Sequence, residues 1–195
     1  MRNAEKNRET KETRITLALN LDGSGAADVQ TGVGFFDHML TAFAVHSGLD
    51  LTVRCAGDLN VDGHHTVEDV GIVLGQAFAE AVGEKKGIAR YGFFAIPMDE
   101  SLGLAAIDIS GRPYLVFDAD FRADAVGDLE TQLVREFFYA FATNAGVTLH
   151  ILAPYGENDH HKCEAIFKAW AHAVKAAVAL TGPSDAVLSS KGALA

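Results

Sequence analysis

The sequence has few cysteines, few cationic residues and no long uninterrupted apolar run. Its two cysteines, Cys55 and Cys163, are too few for a disulfide framework and match no paired zinc-ligand spacing, so both are predicted to be packed thiols. Lys and Arg number 16 against 26 Asp and Glu, and the net charge of −10 argues against a nucleic-acid partner, which requires a basic face. An anionic small molecule is compatible with this charge, because a pocket needs only a few local cations.

Segments that would direct the chain into a membrane are also missing. Residues 1–13 are polar and charged, without the apolar core of a signal peptide, and no apolar stretch is long enough to span a bilayer. We therefore expect a cytoplasmic protein without a membrane partner. With 195 residues, 49% of them hydrophobic, the chain can bury a substantial core, as one domain or as two fused small ones.

A His-His-x-x-Glu motif occurs twice, and each copy opens an apolar run. If each copy begins a helix, its three side chains project from one end of the same helical face. Imidazole and carboxylate groups are ligands of divalent transition metals. A single His pair would be more simply explained as a solvated helix start, but repetition at identical spacing predicts a two-metal centre. The six residues are His64, His65, Glu68, His160, His161 and Glu164.

The pattern of predicted elements repeats as well. The first half reads as a hairpin of two strands, at residues 14–21 and around Val29, followed by a helix at 35–45, a strand at 49–55 and a helix from His64 to about Val82. The second half has strands at 102–109 and 114–119, a helix at 129–143, a strand at 147–153 and a helix from His160 to about Leu180. Each half is therefore β-β-α-β-α.

Matching residues in the two halves support an internal duplication. The segment 42–51 matches 140–149 at an offset of 98, and the two His-His-x-x-Glu helices match at an offset of 96. We predict an α+β fold, a single domain of two repeat halves at about 8–87 and 88–182, each with a sheet backed by two helices, and a C-terminal tail at 183–195. The offset of 98 also pairs His38 with Glu136, which adds one candidate ligand to each half.

Three segments carry a resemblance to a known family. Residues 31–40, 62–69 and 158–169 resemble the signature segments of the imidazoleglycerol-phosphate dehydratases of histidine biosynthesis, in their monofunctional form. The likeness covers residues 8–194. Many family members carry His where this chain has Glu136, so the charge of that candidate ligand differs.

The resemblance implies a fold, a cofactor and a reaction. Family members consist of two fused β-β-α-β-α halves and assemble into particles of 24 identical subunits, with pairs of manganese ions between chains, so we expect two Mn²⁺ per chain. The reaction converts imidazoleglycerol phosphate to imidazole acetol phosphate and water. A substrate imidazole bound as imidazolate between two ions could expel the neighbouring hydroxyl, giving a diazafulvene-like intermediate with a more acidic C–H.

The resemblance also implies residues that bind and convert the substrate. Glu12 matches the N-terminal acidic position of the family and is the candidate acid/base. Lys168 lies eight residues after His160, as His46 lies eight after His38, and each pair therefore shares one helical stripe. The expected substrate-binding residues, several of them suited to a phosphate monoester, are Glu12, His46, Arg90, Arg112, Lys168, Ser190 and Lys191.

Pseudo-twofold symmetry predicts how the eight ligands divide between two ions. The adjacent His residues of each motif should point to different sides of the helix start, so each pair should serve two ions. The expected sets are His38, His65, His160 and Glu164 at one ion, and His64, Glu68, Glu136 and His161 at the other. Two other classes use the same ligand types: a di-metal hydrolase of a phosphorylated small molecule, and a metal-storage or metal-sensing protein, which would not need the cationic residues.

Overall fold

The computed structural model describes residues 2–183, 185–192 and 194. Within the predicted tail, Ser184, Ala193 and Ala195 lie outside the described residues. The elements in chain order are β1 (Asn3–Glu9), β2 (Thr13–Asn20), β3 (Ala27–Gln30), α1 (Gly34–Ser47), β4 (Asp50–Gly57), α2 (His64–Val82), β5 (Tyr91–Met98), β6 (Ser101–Asp108), β7 (Tyr114–Asp118), β8 (Ala125–Val126), β9 (Leu129–Glu130), α3 (Thr131–Ala145), β10 (Thr148–Tyr155) and α4 (Asp159–Val178).

Two four-stranded sheets enclose a layer of four helices. Their strand orders are β1-β2-β4-β3 and β5-β6-β10-β7, which are the same order in the two halves. Helix α2 packs on β1 and β2, α4 packs on β5 and β6, and the helices pair as α1 with α4 and α2 with α3. The predicted α+β class and the internal duplication are therefore confirmed. Among the described residues, no helix is both long enough and apolar enough to cross a membrane.

The predicted hairpin of the first half is wrong. Strand β4 lies between β2 and β3, antiparallel to the first and parallel to the second. The chain does turn at residues 22–25, because the Asp50 carboxylate accepts hydrogen bonds from the N–H groups of Ser24 and Ala26, but this turn carries the chain across β4. The antiparallel hairpins of the two four-stranded sheets are β1–β2 and β5–β6, so each of these sheets has one strand more than predicted. The second half also contains a short antiparallel pair, β8–β9, which was not predicted.

The helical layer is held together by aromatic side chains. Trp170 of α4 stacks on Phe43 of α1, with ring centroids 3.9 Å apart, and meets Phe137 and Phe141 of α3 edge-on. All four side chains are almost completely buried. Offset stacking and edge-to-face contacts are the preferred arrangements of aromatic pairs, and they add to the free energy gained by burying the rings. This shared core fixes the position of α4 relative to α1, and hence of the residues at their N-terminal ends.

The two halves differ in how closely a helix lies on its sheet. At Gly103 of β6 an added Cβ atom would lie 2.4 Å from the carbonyl carbon of Ala165, and at Gly92 of β5 it would lie 1.8 Å from the carbonyl oxygen of Ala173. Strands β2 and β6 match at an offset of 88, from Thr13 with Ser101 to Asn20 with Asp108. The first-half counterparts of the two glycines therefore carry side chains, Ala4 and Ile15. Helix α4 accordingly lies against the backbone of its sheet.

Both cysteines are free and packed, as predicted. Cys163 is buried in α4, and Cys55 is half-buried in β4. Loss of hydration on burial raises the pKa of the Cys163 thiol to about 12 and that of the Cys55 thiol to about 11. Both thiols are therefore protonated at neutral pH.

Candidate metal and substrate site

Helices α1 and α4 bring three predicted ligands together. One ligand atom from each of His38, His160 and Glu164 lies within 4.8 Å of the others, and this is the one such group of three or more ligand-type side chains among the described residues. The Asn158 side chain caps α4 by accepting a hydrogen bond of 2.9 Å from the His160 N–H, which fixes where the helix begins. Nitrogen and carboxylate donors at this spacing fit a divalent transition metal.

Lys168 holds the carboxylate of this cluster. Its Nζ atom lies 2.6 Å from Glu164 Oε1, while Oε2 faces His160 Nε2 at 3.3 Å. Burial alone would raise the pKa of Glu164, but the Lys168 hydrogen bond and charge, with His38 and His160 nearby, lower it. One oxygen of Glu164 is thus engaged by the ammonium group, and the other faces the imidazoles.

The counterpart of this cluster in the other half is more open. His64 Nε2 lies 3.8 Å from Glu68 Oε2 on α2, and the His64 N–H is capped by the Asp62 side chain at 2.8 Å. Glu136, the counterpart of His38, lies on the neighbouring helix α3, where its Oε1 is 3.1 Å from Arg135 Nη1. The three side chains occupy equivalent helices but do not form a group as tight as that of His38.

The second His of each motif points away from the first. The rings of His64 and His65 are inclined at 86°, and those of His160 and His161 at 87°. His65 Nδ1 lies 3.0 Å from Asp58 Oδ2, and His161 Nδ1 lies 2.8 Å from Glu100 Oε2. Within one chain neither ring belongs to the group formed by His38, so each presents its Nε2 atom elsewhere.

Sequence reasoning did not single out Asp58 and Glu100, the two carboxylates that hold these rings. The hydrogen bond that its ring donates to Asp58 raises the pKa of His65, and the one donated to Glu100 raises the pKa of His161. The N–H of Asn158, followed by the His161 and Ser101 hydrogen bonds, lowers the pKa of Glu100. A signal existed in the offset of 88, which pairs Glu100 with Glu12.

Glu12, the predicted acid/base, lies in the turn between β1 and β2. Its carboxylate is about half exposed, and Oε2 lies 3.8 Å from His65 Nε2. The Glu12 N–H donates to Thr10 Oγ1 at 3.1 Å, so the turn is ordered while the carboxylate faces solvent beside a candidate ligand. This placement suits a group that must exchange protons.

His46 lies farther along the α1–α4 interface from the His38 group. Its ring is 5.5 Å from that of His172, which in turn stacks on Phe94 at 4.6 Å. Burial lowers the pKa of His46, and the charge of Lys168 lowers it further, so the ring is neutral at neutral pH. His46 on α1 and Lys168 on α4 are therefore close enough for the charge of Lys168 to act on the His46 ring.

The predicted phosphate-binding arginines meet at Asp108. Arg90 is almost buried, and its Nε and Nη2 donate to the two oxygens of Asp108 at 2.7 and 3.1 Å. Its Nη1 donates to the carbonyl of Leu188 at 2.7 Å, which attaches the C-terminal tail to the residue that precedes β5. Arg112 is mostly exposed, with its Nη2 atom 3.8 Å from Asp108 Oδ2. Arg90 is therefore already paired, whereas the Arg112 guanidinium has an open side.

The tail carries the remaining predicted contacts, Ser190 and Lys191, both exposed. Besides the Arg90 bond, the tail is held by a hydrogen bond from the Gly87 N–H to the Ala186 carbonyl at 2.8 Å. Two hydrogen bonds therefore hold the part of the tail that precedes Ser190 and Lys191. These cationic residues belong to the second half and the tail.

Comparison with known proteins shows similarity to an enzyme family over most of the chain. The family model of imidazoleglycerol-phosphate dehydratase matches residues 31–174. The imidazoleglycerol-phosphate dehydratase of Acetivibrio thermocellus is 56% identical over 193 residues, 99% of this chain and 99% of that protein. That of Methanosarcina mazei is 57% identical over 194 residues, 100% of both chains. The crystal structure of the Staphylococcus aureus enzyme matches with a TM-score of 0.83 and 43% identity over 93% of this chain and 99% of that one.

Proposed function

Because the chain belongs to the imidazoleglycerol-phosphate dehydratase family, lyases of histidine biosynthesis, we propose that its dehydration of imidazoleglycerol phosphate to imidazole acetol phosphate depends on two divalent ions per chain, preferably Mn²⁺. Family membership decides against the hydrolase and metal-storage alternatives. The metal requirement rests on the residues of this chain.

The observation that carries the metal requirement is the group formed by His38, His160 and Glu164. Two imidazoles and one carboxylate with ligand atoms within 4.8 Å of one another fit a six-coordinate divalent ion and leave positions for substrate. Mixed nitrogen and oxygen donors suit Mn²⁺ better than Mg²⁺, which prefers oxygen and retains water. A bound ion would supply positive charge that favours deprotonation of the substrate imidazole.

In this proposal the protons are moved by Glu12. Dehydration removes a hydrogen from one carbon and a hydroxyl from its neighbour, and the resulting enol becomes the ketone. Glu12 accepts the carbon-bound proton and returns a proton to the departing hydroxyl, which leaves as water. Its exposed position beside His65 supports this role, since the carboxylate must meet both substrate and solvent.

The substrate phosphate binds on the second half. Arg112 supplies a guanidinium fork, and Lys191 and Ser190 supply an ammonium and a hydroxyl from the tail. Arg90 anchors the tail through Leu188 and holds Asp108, which in turn faces Arg112. Lys168 and His46 contact the substrate from the α1–α4 interface, where Lys168 also orients Glu164.

The proposal includes assembly into a cytoplasmic particle of 24 identical subunits. Its support is the position of His65 and His161, which in a single chain lie outside the group formed by His38. If they complete sites on neighbouring subunits, each ion joins chains, and removal of metal should loosen the particle. Sedimentation velocity with and without chelator tests this point separately from activity.

The test of function is a turnover assay before and after chelation. Purified protein should convert imidazoleglycerol phosphate to a ketone, lose activity in chelator and regain it with Mn²⁺. Inorganic phosphate is measured in the same reaction and should stay at background. Full recovery with Mg²⁺ alone would contradict a site built from imidazoles.

A further inference from the structure

The duplication places two carboxylates in equivalent turns. Glu12 precedes β2 and Glu100 precedes β6, and the offset of 88 that joins these strands also joins the two residues. The flanking hairpins share it, since Glu9 pairs with Arg14 in one and Pro97 with Leu102 in the other. Yet the two carboxylates have different surroundings, and this difference indicates different tasks.

Both carboxylate oxygens of Glu100 are hydrogen-bonded. Oε1 accepts hydrogen bonds from the N–H groups of Glu157 and Asn158 at 3.0 and 2.8 Å, and from Ser101 Oγ at 2.9 Å. Oε2 lies 2.8 Å from His161 Nδ1. Glu100 therefore joins the β5–β6 turn to the loop before α4 and to the ring of a candidate ligand at once.

We propose that Glu100 is a positioning residue, which fixes His161 in the tautomer protonated at Nδ1 and so leaves the Nε2 lone pair available to a metal ion. The inference rests on the proposed role of His161 as a ligand. An ionised carboxylate can only accept a hydrogen bond, so Nδ1 must donate, and in the neutral ring Nε2 then carries the lone pair. Asp99 Oδ2 lies 3.8 Å from Nε2, which is too far for a hydrogen bond.

The equivalent ring in the first half is held differently. His65 Nδ1 lies 3.0 and 3.2 Å from the two oxygens of Asp58, which comes from the loop between β4 and α2. Glu12, the counterpart of Glu100, stays clear of Nδ1 and faces Nε2 instead. Among the described residues, the Asp58 carboxylate has no second hydrogen-bonded partner comparable to the backbone groups on Glu100.

This contrast gives two amide variants with opposite expectations. In Glu100→Gln the two backbone N–H groups require an acceptor, so the amide oxygen must stay at the Oε1 position and the NH₂ group must face His161 Nδ1. Nδ1 then becomes the acceptor, and Nε2 carries the proton and loses its lone pair for metal. In Asp58→Asn the amide is free to turn, so its oxygen can still accept from His65.

The experiment is a titration of chelated protein with Co²⁺, followed by its visible absorption and by metal content per chain. Glu100→Gln should weaken one of two sites about 10–100-fold, the usual effect of losing a partner of a metal-bound imidazole. Asp58→Asn should leave both affinities near those of the unaltered protein. Circular dichroism and thermal unfolding should show that both variants fold.

The outcomes separate this inference from the proposed function. If Glu100 only ties the turn to α4, Glu100→Gln keeps the Oε1 bonds and should bind Co²⁺ normally, which would overturn the inference. His161→Ala should lose the same site as Glu100→Gln. A His161→Ala protein that retains both sites would overturn the ligand role itself. Loss in His161→Ala without loss in Glu100→Gln would reject only the positioning role.

Discussion

The two halves of the chain share a topology, but their candidate ligands are grouped differently. At the α1–α4 interface, His38, His160 and Glu164 form a tight group. At the equivalent α2–α3 interface, His64 and Glu68 are 3.8 Å apart, and Glu136 is paired with Arg135. One set holds a single carboxylate and the other holds two. Duplication therefore preserved the position of each residue while the charge at one position changed.

This difference predicts unequal metal preferences. The set with two carboxylates should favour harder ions, and the set with two imidazoles should bind nitrogen-preferring ions more tightly. A side chain engaged by a neighbouring arginine must also leave that partner before it can bind an ion. The following changes would break or sharpen this comparison.

The largest effects should follow removal of the first imidazole of either motif. His160→Ala and His64→Ala should each lose about one ion per chain, with turnover lower by about 10²–10³-fold, because a group that stabilises developing charge is lost. Metal analysis after dialysis and steady-state kinetics measure the two effects. Retention of two ions in either variant would show that the repeat does not build two equivalent sites.

Glu136 tests the point at which the halves differ. Glu136→Ala should remove about one ion per chain while the other remains, and turnover should fall by about 10²-fold. Glu136→His makes the two sets equal and should keep both ions, with a shift of metal preference towards zinc or nickel. Metal competition measured on both variants is the readout, and an Ala variant with two ions and full turnover would contradict the assignment.

The cationic region tests whether phosphate binds to one half only. Arg112→Ala should raise KM roughly 10–150-fold, or about 1.5–3 kcal/mol for a lost charge-assisted hydrogen bond, with metal content unchanged. Arg2, which stands 88 residues before Arg90 and pairs with Asp22 at 2.5 Å, provides the control. Arg2→Ala should leave KM unaltered, and an equal rise in both variants would place the effect in the scaffold.

The smallest expected effect is on folding. Gly103→Ala should lower the free energy of unfolding by about 1–3 kcal/mol, because the added methyl group meets the backbone of α4 and the helix must move. Gly182→Ala is the matched control, since an added Cβ there has no atom within 4 Å. Urea unfolding compares the two. Equal stability would mean that α4 is free to shift.

The candidate ligands could be named from the sequence because each motif is short and recurs at a fixed offset. The carboxylates that hold the Nδ1 atoms of His65 and His161 could not be predicted. Strand β1 was missed since its side chains are mostly polar and only Ala4 is buried, so it lacks the alternation that indicates a strand. Because β1 was missed, the turn at Glu12 was not recognised, and the offset of 88 that aligns Glu12 with Glu100 was overlooked.

The strand order within each half also could not be predicted from the local sequence pattern. Residues 22–25 have turn chemistry and do turn, but which strand lies beside β2 is decided by contacts between residues far apart in sequence. Asp50 makes several of these contacts at the start of β4. Likewise, the pairing of Arg90 with Asp108 and Leu188 depends on where β6 and the tail meet.

The missing side chain at Gly103 has a meaning for the evolution of the two halves. Because α4 lies against the backbone there, the β5–β6 turn reaches the start of α4. Glu100 in this turn is hydrogen-bonded to His161 and to the loop that precedes α4. Ile15 stands at the matching position of the first half, and Glu12 there lies beside Nε2 of His65 and does not hold Nδ1. We expect that a lineage acquiring a side chain at 103 would need a new partner for His161, as Asp58 serves His65.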